Sequence, residues 1–77
     1  MLLKAQLAEA KQELERLEIL ADGLIAEVRL ELNPVADSFV ELDLDKARGL
    51  FEELYRHWKE ARRLSERIAR LVEALEG

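Results

Sequence analysis

His57 and Glu53 are the residues of this chain with the most chemistry open to them. Four positions apart on a helix, they share a face. An imidazole beside a carboxylate can relay a proton or hold a metal ion, and Glu18 or Asp22 could approach from another helix to complete a carboxylate-rich cluster. The carboxylate-bridged di-iron arrangement, however, requires Glu-x-x-His with further inward glutamates. Residue 54, three before His57, is leucine rather than glutamate, and that arrangement is missing. His57 and Glu53 are therefore weak metal candidates, and no metal or cofactor is expected. The plainer reading is a histidine at the edge of a helical core, with its ring on apolar neighbours. Ser65 has no evident base and no oxyanion loop, so it is not read as a nucleophile. Its hydroxyl is expected to bond the Ala61 carbonyl or to sit at a tight interface. Tyr55 and Trp58 could stack on a ligand, but at helical spacing among Leu and Ala they are expected in the core. Gly23, Gly49 and Gly77 are isolated, so no glycine-rich loop cradles a phosphate. The absence of cysteine excludes disulfides, thiolate metal sites and cysteine nucleophiles. No catalytic residue is assigned, and the chain is not read as an enzyme.

A second constellation is electrostatic. Arg56, Arg63 and Arg70 recur every seven residues, with Lys59, Arg62 and Arg67 nearby, so residues 56 to 70 carry six bases and two acids, net +4. Such a strip can track a phosphate backbone. Against this, the whole chain is net −5, and the strip has acids to pair with in the other half of the molecule. A solvated, salt-bridged face is the first reading, and a nucleic-acid-associated factor the second.

Two long helices must position these residues. Leu3, Leu7, Ala10, Leu14, Leu17, Ala21, Leu24 and Val28 alternate spacings of four and three, which places them on one stripe of a helix over about residues 2–32. Asp22-Gly23 lies inside the run but keeps its phase, so the helix is expected to continue through it. Asn33-Pro34 ends it, because the residue before proline avoids the α region. The second pattern, over about 43–76, carries Leu44, Ala47, Phe51, Leu54, Trp58, Ala61, Ile68, Val72 and Leu75, with Ser65 the gap. Leu50, His57, Leu64 and Leu71 form a flanking row. Asp43 is the expected N-cap, and the later arginines complement the C-terminal dipole. The predicted fold is all-α: a single-domain antiparallel helical hairpin with a loop at about 33–42. Facing positions are expected to sum to about 75. Residues 1 to 45 are net −7 and residues 46 to 77 net +2, and Glu9, Glu13, Glu15 and Glu18 are expected opposite the arginines of the second helix.

Helix 1 has more apolar surface than a hairpin can hide. Ile19, Gly23, Ala26 and Leu30 repeat on the side away from the heptad, and a helix apolar nearly all round is usually buried. With 77 residues and no disulfide, the chain is marginal alone. These features predict self-association through Ile19, Gly23, Ala26 and Leu30 into a homodimer or higher homo-oligomer, a four-helix bundle or coiled coil. Val35, Phe39, Val40 and Leu42, within "ELNPVADSFVELDLDKA", are expected to close the last core layer as an extended lid, to meet a second subunit, or to dock a different protein. No run reaches the roughly 18 apolar residues of a membrane span, and "MLLKAQLAEAKQE" has no apolar segment of signal-peptide length. A cytoplasmic location without membrane contact is expected. Arg outnumbers Lys by eight to four with one Asn, a hint of a GC-rich or thermophilic source. The functional expectation is a non-enzymatic structural or protein–protein interaction module. The alternatives are the nucleic-acid factor using Arg56, Arg63 and Arg70, and a metal or small-ligand site at His57.

Overall fold

The computed structural model describes residues 2–33 and 38–77. Helix α1 spans Leu2–Glu31, a 3-10 turn covers Phe39–Glu41, and helix α2 spans Leu44–Glu76. The two helices pack side by side as a hairpin of 56 × 15 × 14 Å. Its radius of gyration is 17.4 Å, against about 11–12 Å for a compact domain of this length. The molecule is a rod two helices thick. Among the described residues no helix is long and apolar enough to cross a membrane.

Helix α1 runs unbroken through Asp22-Gly23. Both mid-helix glycines are open, with nothing within 4 Å of a Cβ placed on Gly23 or Gly49. Glycine there contributes only backbone freedom to the unfolded chain. Gly49→Ala is expected to raise stability by about 1 kcal/mol in urea denaturation. At the C-terminal end of α1, Leu32 N–H donates to the Val28 carbonyl at 3.0 Å. At the start of α2, the Asp43 side chain accepts from the Lys46 backbone N–H at 2.9 Å, the N-cap expected from sequence. Asp43→Ala should cost about 1 kcal/mol and lower the thermal midpoint. The dipole expectation at the other end is corrected: the last turn of α2 holds no basic residue, and Arg70 lies too far back for a field that fades within one turn.

The interhelical seam follows the α1 heptad. Ala10 and Leu17 are buried, and Leu7, Leu14, Ala21, Leu24 and Val28 are half-buried. On α2 the seam is Ala47, Leu50, Leu54, His57, Ala61, Leu64, Ile68 and Leu71. Here the structure shifts the expected pattern by one row. The row read as flanking meets α1, whereas Phe51 and Trp58 lie outside, 61% and 49% exposed. Tyr55 is exposed as well, so the core placement expected for both Tyr55 and Trp58 is overturned. The reason is steric. Helices that meet through Ala10, Ala47 and Ala61 approach closely, and axes 8–10 Å apart leave no room for an indole between them. Ser65 falls on the outer row and is exposed, so its place in the pattern marks a surface position.

The Lys46 Nζ and Glu31 Oε1 atoms, 2.6 Å apart, tie the helices together beside the loop. Glu31 holds the Lys46 ammonium above its ordinary pKa, chiefly by hydrogen bonding. A raised folded-state pKa means that this contribution is complete below the unfolded lysine value and is lost as pH rises through the folded one. The pair joins positions that sum to 77 beside the loop, close to the expected register of about 75, and Ala21 and Leu54 line one hollow as that register requires. The expected matching of Glu9, Glu13, Glu15 and Glu18 with the arginines of α2 is not made within the chain. Glu13 instead pairs with Arg16 on its own helix, and Arg16 in turn feels Glu60 across the seam. The lid expectation is corrected too. Phe39–Glu41 is a 3-10 turn rather than extended, and Phe39 and Val40 are 78% and 92% exposed. They cover no core layer. Leu42 is half-buried, and Val35 lies outside the described residues.

Candidate interaction surface

Because α2 is apolar over three positions in seven and α1 covers only two of them, one apolar row is left facing outwards. Leu44, Phe51 and Trp58 belong to it, seven residues apart, with exposed Ser65 next along the row and Val72 at its end half-buried. Beside this row the hairpin opens into a trough of about 510 Å³, lined by Leu17, Ala21 and Ile25 from α1 and by Phe51, Leu54 and Trp58 from α2. Glu18 and His57 bring the ionisable groups to an otherwise almost wholly apolar lining that Tyr55 and Ala61 complete. Small Ala21 and Ala61 form the hollow, and the two large aromatics Phe51 and Trp58 form a ridge beside it.

The ridge is ordered by ring contacts. Tyr55 and Trp58 stack with centroids 5.6 Å apart and planes inclined by 25°. Lys59 Nζ lies 5.4 Å from the Tyr55 ring and the Arg62 guanidinium 5.1 Å from the Trp58 ring. Each cation rests on the negative face of a ring, so the aromatic pair is held in place while half of its surface remains open to water.

His57 lies in the seam and reaches both open sides of the hairpin. Its Nε2 is 4.0 Å from Glu53 Oε1 on the same helix, too far for a hydrogen bond. Among the described residues no three His, Cys, Asp or Glu side chains cluster as metal ligands. Glu18 approaches on one side of the seam and Glu27 on the other, so the carboxylates are split between two faces.

The opposite side holds a smaller hollow of about 250 Å³, between Ile19, Leu20, Gly23 and Leu24 of α1 and Glu27, Glu53 and His57. The self-association stripe expected from sequence borders it. Ile19 and Leu30 are 67% and 73% exposed, and Gly23 and Ala26 are exposed with them. Ile19 and Gly23 line that hollow. Arg56, Arg63 and Arg70 are all exposed and are in none of the ion pairs among the described residues. Glu60 and Glu66 stand among Arg63, Arg67 and Arg70 in a shallow hollow, so the strip is interrupted by acids.

The aromatic trough is the feature that the sequence pattern concealed. Its trace in the sequence is Ser65: a polar residue on the 44–51–58–65–72 row is out of place in a seam and in place on a surface. The chain matches no protein-family model, no curated protein and no solved structure.

Proposed function

We propose that this protein is a non-enzymatic interaction module that works as a homo-oligomeric helical bundle, in which two hairpins combine into four helices. One observation carries this reading. The lone hairpin exposes 6243 Å², whereas a folded monomer of its 8.9 kDa mass is expected to expose about 4,800 Å². Roughly 1,400 Å² per chain is in excess. A standard interface removes about 800 Å² per partner and obligate ones remove more than 1,000 Å², so one further copy accounts for the difference. Among the described residues only Ala10, Leu17, Ala47 and Leu71 are buried in the single chain, a core too small for a domain with no disulfide to close it. Two-helix rods with apolar flanks are the halves from which four-helix bundles are made.

Small-angle X-ray scattering tests the reading. The bundle predicts forward scattering for two chains and a cross-section about twice that of a hairpin at nearly unchanged length. Forward scattering for one chain with a radius of gyration near 17.4 Å rejects it.

A second reading has one observation in its favour. Among the described residues Arg56, Arg63 and Arg70 are in no ion pair, and the adjacent stacked Tyr55–Trp58 pair offers faces on which unpaired bases could stack. A single-stranded oligonucleotide should then bind with an affinity that falls steeply with salt. Absence of binding at low salt removes this reading.

A further inference from the structure

We infer that the Leu17–Trp58 trough is filled by the same trough of a second copy of this chain, in a two-fold dimer where Phe51 and Trp58 of each subunit enter the hollow of the other. This rests on the assembly reading above and adds which face is used and how the copies are turned.

A two-fold interface applies one patch to itself, so that patch must carry both the projection and the hollow that receives it. The trough face does. Its hollow, about 510 Å³ beside Ala21 and Ala61, lies against the Phe51–Trp58 ridge. Half-exposed aromatic side chains in an apolar surround are also the residues that dominate binding energy at interfaces. The excess of exposed surface over a compact monomer, roughly 1,400 Å² by the mass scaling, matches what one such face removes in an obligate dimer.

Charge chooses the orientation. With facing positions summing to 77 at Glu31–Lys46, Lys11 is level with Glu66, Glu15 with Arg62, and Glu18 with Lys59. All six are exposed, and none is in an ion pair among the described residues, where the pairs are Arg16–Glu13, Lys46–Glu31, Arg48–Glu52 and His57–Glu53. A two-fold axis parallel to the helices lays α1 of each copy beside α2 of the other at the same height. The three opposite-charge pairs then meet across the subunit boundary.

The chain's only tryptophan, Trp58, reports on this face without any substitution. The experiment combines solution mass by light scattering with acrylamide quenching of Trp58 fluorescence over a dilution series. The expected result is a mass of two chains with Trp58 shielded, and quenching that rises several-fold as dilution separates the chains. A mass of two chains with Trp58 as quenchable in the dimer as in the diluted chain overturns the inference and leaves the assembly reading standing. A folded single chain at every concentration overturns both. Two variants add an independent arm. Phe51→Glu, on the trough face, should weaken association at least about tenfold, the scale of a buried aromatic anchor. Leu30→Glu, on the Ile19–Leu30 stripe of α1, should leave it within about twofold. The reverse ranking assigns the interface to Ile19–Leu30 and refutes the trough.

Discussion

Leu17→Ala is expected to cost about 2–5 kcal/mol, the largest loss from any single truncation in this chain. Leu17 is 2% exposed and is the largest fully buried side chain. It sits at the middle of the α1 heptad, against Leu54 and Ala61 of α2 at the floor of the trough. Removing its isobutyl group loses the transfer energy of the buried atoms and leaves a cavity. The neighbouring Ala21 and Ala61 have no side chain long enough to fill it. A small domain holds only about 0.05–0.15 kcal/mol per residue in total, so such a loss takes a large share of what this one has. The measurement is urea denaturation followed by circular dichroism at fixed protein concentration. The expected outcome is a midpoint displaced far to low urea with an unchanged slope. A change under 1 kcal/mol would mean that Leu17 is not at the centre of the core.

The second large effect concerns concentration. If the folded state is two associated chains, each hundredfold dilution should remove about 2.7 kcal/mol of apparent stability, by mass action alone. The thermal midpoint should fall with every dilution step and recover on concentration. A lone hairpin would melt at one temperature regardless of concentration. Calorimetry or circular dichroism over two decades of concentration distinguishes the two. The result bears directly on the small core, because stability shared between subunits depends on protomer concentration in a way that a self-sufficient monomer's does not.

Much of the fold was legible in the sequence. The α1 heptad kept its phase across Asp22-Gly23, and the helix is continuous there. Asp43 read as a cap because its carboxylate can reach a free N–H of the first turn, and it does. The facing register of about 75 agrees with Ala21 and Leu54 lining one hollow, but spacing alone does not say which of two adjacent rows interlocks. That same ambiguity hid the candidate site. On α2, the 50–57–64–71 and 51–58–65–72 rows are each three-quarters apolar or better, and hydrophobicity does not rank them. Side-chain bulk does. Trp58 and Phe51 cannot fit between helices that touch through alanines, and they stand outside. The charge pattern misled for a related reason. Acids on α1 and bases on α2 lie at matching heights, yet their side chains project past the seam into solvent. Complementarity along a rod does not require pairing within it. Phe39 and Val40 read as a lid because they are apolar, but Ser38 turns the chain into a single 3-10 turn that leaves both outside.

The most direct test of the account is the solution mass of the intact chain by multi-angle light scattering on a sizing column, loaded over a wide range of concentrations. The account predicts about twice 8.9 kDa at high loading, moving towards one chain only at high dilution and with loss of helix. A stably helical species of one chain mass at every loading would contradict it, and would leave the Phe51–Trp58 trough as an apolar surface that no second copy covers.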